Sequence, residues 1–273
     1  MTPESSRKRR GLQCTPHPRP LSQGRGRLSS HRLQSETELA TPITTPTPQP
    51  VMITVGDTQR VSGLLQVPAG AHACCVLAHG AGAGMTHPFM ATIASGLAER
   101  NIATLRYQFP HMERGSKRPD APALAQATVR AAVAEAARLV PGLGLFAGGK
   151  SFGGRMTSES QAASPLPGVR GLVFLGFPLH PPGRPSDERG KHLFQVQVPM
   201  LFLQGTRDEF AELGLLRPLV ERLGARAMLK LFEDADHSFH VPARAGRKDS
   251  DVRTEMLDAL ANWLEKVKPK LAE

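Results

Sequence analysis

Four runs in this chain, ACCVLAHG (73–80), GLGLFAGG (142–149), GLVFLGFP (171–178) and PMLFLQG (199–205), are apolar at almost every position and stop at glycine or proline. They lack the alternation of a strand wetted on one face, so each reads as a strand buried on both sides. A sheet covered on both faces requires helices above and below it, and the segments between the runs supply them. Phe89, Ile93 and Leu97 recur every four residues behind the turn at Thr86–Pro88, residues 121–139 are Ala-rich, and a further helix is predicted near 210–223. In the last helix Val252, Met256, Leu260 and Trp263 or Leu264 share one face. NIATLRYQFP (101–110) and AMLKLFE (227–233) add strands, and VMITV (51–55) with RVSGLLQVP (60–68) alternates like an antiparallel hairpin. The predicted class is α/β, a mostly parallel central sheet with helices on both faces. Neither an internal repeat nor a linker interrupts residues 50–273.

Residues 1–48 have a different character. They are rich in Pro, Ser, Thr and Arg without apolar periodicity, and are expected to form a disordered basic tail preceding a domain over 49–273. Of the formal net charge of +10, residues 1–40 carry half, from eight Lys/Arg against three Glu. The RKRR stretch reads as a solvated arm ahead of a nucleic-acid patch, so nucleic acid is not expected as a partner of the domain. No apolar h-region follows the arginines, which sets aside a secretory signal. No run approaches the ~18 apolar residues of a membrane helix. Cys14 and the adjacent Cys74 and Cys75 give neither a disulfide framework nor a CxxC zinc pair, which fits a cytoplasmic protein.

The chemistry concentrates at LGLFAGGKSFGGRM (143–156). Ser151 sits between a predicted strand and a predicted helix, where a tight turn forces an uncommon backbone conformation and the glycines at 149 and 153 leave room for it. Such an elbow lifts the hydroxyl clear of the sheet, at a helix N-terminus that favours developing negative charge. A serine is a weak nucleophile at neutral pH and requires a base, and the base requires an orienting carboxylate. LFLQGTRDEF puts Asp208 in the loop after one strand and LKLFEDADHSFH puts His237 in the loop after the next, both at the sheet edge carrying the elbow. Glu209, Asp234 and Asp236 compete with Asp208, and His240 competes with His237. The chain order Ser151, Asp208, His237 is that of the α/β-hydrolase fold.

An oxyanion hole is predicted from LAHGAGAGM (77–85), with the backbone N–H groups of Ala81 and Phe152 as the pair. His79, Gly82, Arg106 and Lys150 are candidates to line the site. His79 reads as a structural turn histidine holding the oxyanion loop, and Arg106 as one half of a loop-fixing ion pair. Lys150 either acts on the local potential or points to solvent. Cys74 and Cys75 read as core residues. Carbonyl chemistry of this kind requires no cofactor and no metal, and HxH, HExxH and a phosphate-binding glycine loop are not read in the chain.

Through these residues the segment 50–270 resembles the α/β-hydrolases, most closely the small dienelactone-hydrolase-like group. LAHGAGAGMTHPFM, TLRYQFPHME, GGKSFGGRM and FLQGTRDEF are similar to a hydrolase-like domain shared by bacterial proteins, a testis-expressed protein and a subunit of a histone-acetyltransferase complex. The resemblance implies the fold and carries nucleophile, acid and base onto Ser151, Asp208 and His237. It carries no established reaction, and members of the group can also act as interaction scaffolds. The stretch LHPPGRPSDERGKHLFQVQV between two strands is too short for the cap domain many relatives insert there. With one Trp and one Tyr in the chain, an open site without a deep acyl pocket is expected. The expected function is hydrolysis of small carboxylic esters, lactones or thioesters through an acyl-enzyme. The alternative is a catalytically silent interaction module, and the oligomeric state is left open.

Overall fold

The computed structural model describes residues 46–267, so the expectation for residues 1–48 falls almost wholly outside the described residues. Eight strands form one sheet: β1 (Gln49–Val55), β2 (Gln59–Gln66), β3 (Ala73–Ala78), β4 (Ile102–Tyr107), β5 (Gly144–Lys150), β6 (Val169–Leu175), β7 (Met200–Gly205) and β8 (Ala227–Phe232). Their spatial order is β1-β2-β4-β3-β5-β6-β7-β8. The hairpin β1–β2 and the β2–β4 pair are antiparallel, and every pair from β4 through β8 is parallel. Between the strands run α1 (Pro88–Ala98), the short α2 (Pro110–Glu113), α3 (Pro122–Leu139), α4 (Phe152–Ala163), α5 (Leu213–Leu223) and α6 (Asp249–Lys266).

The double-sided burial of the central strands is visible residue by residue. Along β3, Cys74, Val76 and Ala78 enter one core while Ala73, Cys75 and Leu77 enter the other. Along β7, Met200 and Phe202 face the first core, and Leu201 and Leu203 the second. This is the period of two expressed with apolar residues on both faces. The first core is closed by the apolar faces of α3 and α5 with Met156 of α4, the second by α1 and α6. In α6, Val252, Met256, Leu260, Trp263 and Leu264 are all buried, as their spacing requires.

Only a 3-10 helix, Glu188–Gln195, interrupts the connection from β6 to β7, so no separate cap stands over the sheet. Helix α5 begins at Leu213 and not near 210, because residues 208–212 are taken up in turning a loop at the strand edge. There His180 N–H donates to Phe210 O (2.9 Å) and Glu212 N–H donates to His180 Nε2 (3.0 Å).

Candidate active site

Strand β5 ends against its neighbours with almost no space. A Cβ on Gly149 would lie 2.1 Å from Ala78 O, and this glycine has φ +153°. Chain reversal falls on Ser151, at φ 49° and ψ −116°, a region that costs a non-glycine residue about 1–3 kcal/mol. The turn is held by Ser151 N–H donating to Leu175 O (3.3 Å) and Arg155 N–H donating to Ser151 O (3.1 Å). Helix α4 then starts at Phe152, with Gly153 so close to the β3 loop that a Cβ there would meet His79 O at 2.5 Å. The glycines around the serine are thus demanded by backbone approach on both sides of the turn.

The three side chains converge. Ser151 Oγ–H donates to His237 Nε2 at 2.8 Å, and His237 Nδ1–H donates to Asp208 Oδ2 at 2.7 Å. The Asp208 side chain is wholly buried, and it also accepts from Phe210 N–H (2.8 Å) and Gln204 Nε2 (2.5 Å). Among the described residues none of the competing acids hydrogen-bonds to the His237 ring. Asp236 Oδ1 accepts from Ser238 N–H and His240 N–H (2.8 and 2.9 Å), stapling the loop that carries His237. Asp234 sits at φ 58° with its own N–H donating to Thr206 Oγ1, while Glu209 is exposed. His240 is exposed and pairs with Asp249 (2.9 Å), a contact that raises its pKa.

The remaining candidates divide. Gly82 and Lys150 line a groove of about 410 Å³ with Ser151 and His237, whereas His79 and Arg106 do not reach it. Both are buried behind it and hold its wall. His79 Nδ1–H donates to Gly80 O (2.7 Å) while Nε2 accepts from Phe109 N–H (2.9 Å), which assigns a neutral ring. Burial lowers its pKa to about 4. Arg106 makes no ion pair among the described residues. Its Nη1 donates to Met85 O (3.0 Å), while Gln108 Oε1 accepts from Met85 N–H (2.8 Å), so the end of β4 grips the glycine-rich loop at one residue, on both of its peptide groups. Lys150 does not point to solvent. Its Nζ donates to His237 O at 2.6 Å, and burial lowers its pKa to about 8 against the opposing pull of Asp208 and Asp236. The N–H groups of Ala81 and Phe152 have no acceptor among the described residues. Cys74 and Cys75 are free thiols in the core, and burial pushes Cys74 up to about 12.

Several residues at the site have no signature in the sequence. Gln204 bridges Asp208 to Phe177 N–H (2.8 Å). Phe210 lies 4.3 Å, centroid to centroid, from the His237 ring, and Phe89 lines the same groove. Phe89 and Phe210 thus give the groove two aromatic walls, while the single Trp and Tyr are buried elsewhere. His111 and Asp120, both buried, stand behind Ala81, with His111 Nε2 3.3 Å from Ala81 O. A phosphate-binding glycine loop, not read from the sequence, does have its spacing in this chain. Gly144, Gly149, Lys150 and Ser151 do satisfy GxxxxGK[ST], so spacing alone does not set it aside. The backbone does, because Gly144–Lys150 is extended in β5 and leaves no loop to wrap a phosphate.

Three solved structures share this fold. The chain is similar to a dienelactone hydrolase from Anabaena variabilis (21% identity, covering 82% of this chain and 99% of that one, TM-score 0.65). It is similar also to a lidless α/β serine hydrolase from Xanthomonas campestris (20%, 85% and 100%, TM-score 0.63). An esterase domain from Rhodothermus marinus matches at 15% identity over 81% and 100% of the two chains, with a TM-score of 0.62. At these identities the likeness is one of fold. A family model described as an alpha/beta hydrolase domain matches residues 71–265, and the chain belongs to that family.

Proposed function

We propose that this protein is a serine hydrolase of small carboxylic esters, lactones or thioesters, acting through an acyl-enzyme. The observation that carries the reading is the unbroken contact from Asp208 through His237 to Ser151 Oγ, at 2.7 and 2.8 Å. Ser151 Oγ bonds to the carbonyl carbon as its proton passes to His237 Nε2, and Asp208 stabilises the imidazolium. The oxyanion is received by the N–H groups of Ala81 and Phe152, at the N-terminus of α4. As the bond to the leaving oxygen or sulfur breaks, Nε2–H gives that atom its proton. Water then adds to the acyl-enzyme by the same route, releasing the acid and restoring the serine.

The esterase and serine-hydrolase descriptions of the structural neighbours agree with this reading. A catalytically silent scaffold would have no need of Lys150, Asp236 and Gln204 to hold the two loops at hydrogen-bond distance from the serine. A cytoplasmic location, and residues 1–48 as an arm outside the hydrolase domain, belong to the same proposal. A fluorophosphonate should label the wild type covalently and leave Ser151→Ala unlabelled, with turnover of p-nitrophenyl acetate lost in parallel. Folded wild-type protein that neither labels nor turns over a short ester or thioester would overturn the reading.

A further inference from the structure

Ser151 borders two grooves. The one described above has His237 and Ser238 in its wall. The second, about 390 Å³, runs along Phe152, Arg155, Arg189 and Phe210, with no part of His237 in its lining. This inference rests on the acyl-enzyme reading. When Ser151 attacks an acyl carbon, the leaving atom must lie against His237 Nε2, which has to protonate it. The leaving group therefore occupies the first groove. The acyl chain, bonded to the same carbon, runs into the second.

The second groove carries an excess of positive charge. Arg155 lies one turn into α4, and Glu159, one turn further, pairs with it at 2.5 Å and also accepts from Gln126 Nε2 (3.2 Å). Arg155 Nε is buried without an acceptor among the described residues. Arg189 is half-buried and has no carboxylate within ion-pair distance among them. Burial and the Arg155 charge lower the Arg189 pKa, and only Glu159 opposes them. Asp120, the acid in the groove's own lining, is already engaged by His111 N–H (2.8 Å) and by Arg114 (2.7 Å). Glu159 pairs with Arg155 alone, so Arg189 leaves one positive charge beside a channel otherwise bordered by Pro119, Pro122 and Pro178. A single carboxylate would neutralise it, whereas a phosphate would bring about two charges and overshoot.

We infer that the second groove takes an acyl chain ending in a carboxylate, so that the preferred substrates are half-esters or half-thioesters of short dicarboxylic acids, held by Arg189 with Arg155 beside it. The chemistry of the acyl-enzyme is unchanged. The terminal carboxylate is bound and takes no part in bond making or breaking.

The test compares kcat/KM for mono-p-nitrophenyl glutarate and p-nitrophenyl pentanoate, which share an acyl length and differ in the terminal charge. The wild type should prefer the glutarate by at least about tenfold at low salt, with the preference shrinking as ionic strength rises. Arg189→Gln should cut the ratio of the two values by about tenfold, and Arg189→Lys should restore part of it. Binding of monomethyl glutarate to Ser151→Ala, followed calorimetrically, requires no turnover. Adding Arg189→Gln should weaken it by about tenfold. Equal use of the two esters by the wild type, or equal binding with and without Arg189, overturns the inference and leaves the serine-hydrolase reading standing. Absence of fluorophosphonate labelling overturns that reading, while the binding measurement still decides whether the groove accepts a carboxylate.

Discussion

Gln204 offers the sharpest check on how the site is held together, because it acts on no substrate and yet touches the acid. Its amide is wholly buried, donates to Asp208 Oδ2 at 2.5 Å and accepts from Phe177 N–H at 2.8 Å. Gln204→Leu nearly preserves volume and removes both bonds. A hydrogen bond to a charged group contributes about 1.5–3 kcal/mol net, and a buried N–H left without an acceptor costs about 1–3 kcal/mol. The gain from replacing an amide by an aliphatic group offsets part of this, about 1 kcal/mol. The expected loss is therefore about 3 kcal/mol, equivalent to a fall in Tm of roughly 6–12 °C for a domain of this size. Urea unfolding followed by the fluorescence of Trp263, the only tryptophan in the chain and a buried one, measures it directly. Turnover should drop by about tenfold, or about 1.4 kcal/mol, because the carboxylate that orients the imidazole has lost one of its two anchors, keeping only Phe210 N–H. A variant destabilised by less than about 1 kcal/mol and turning over ester at the wild-type rate would refute the argument that Gln204 supports the acid.

Asp208→Asn should fold normally and lose about four orders of magnitude in kcat, because the imidazole is then held in the wrong tautomer. Asp236→Asn keeps an acceptor for Ser238 N–H and His240 N–H, so steady-state kinetics should find its rate within a few-fold of wild type. The reverse ranking would show that the acid is misassigned. Acid should begin to destabilise the fold at pH values above the ordinary carboxylate range. Burial lowers His79 and His192 from the ordinary 6.5 to about 4, so the unfolded chain binds more protons between those values. Stability is then full above pH 6.5 and falls as pH drops through the window, by at most about 3 kcal/mol for each ring. Urea midpoints that do not change between about pH 7 and about pH 4.5 would contradict this.

The sheet was legible because burial on both faces leaves runs with almost no polar position to break them, Gln204 near the end of β7 being an exception. The helices opposite were legible because covering such a sheet demands one apolar stripe each. The serine was legible for a different reason. The backbone at the end of β5 passes so near Ala78 and His79 that only glycine fits at 149 and 153, and that steric demand is written into the sequence as a motif. The start of α5 was misplaced because the residues before it, 210–212, begin with the apolar Phe210 and Ala211 and read as its first turn. They are shaped by His180, which lies on the other side of β7 in the chain. Phe89 shows the same limit. Its spacing with Ile93 and Leu97 marks a helical face, but Phe89 packs at the margin of that core, stacked on Phe239, so the first residue of the stripe walls the groove while the later two are wholly buried.

Sequence proximity was the weakest guide to the acid. Asp236 adjoins His237, yet its Oδ1 is satisfied by the N–H groups of Ser238 and His240, and turning it to the ring would open the loop that presents the ring. The carboxylate that does reach Nδ1 lies 29 residues away in the chain, carried there by β7 ending beside β8 in register, Gly205 opposite Phe232. What identifies Asp208 is thus its place one strand over from the base, at the same edge of the sheet. That property depends on strand order, which local pattern does not encode and parallel pairing of consecutive strands supplies. The same logic explains why Gln204, Phe210 and His111 escaped notice. Each is an ordinary residue type whose role exists only once two loops have met, and the spacing of a single segment holds no record of that meeting.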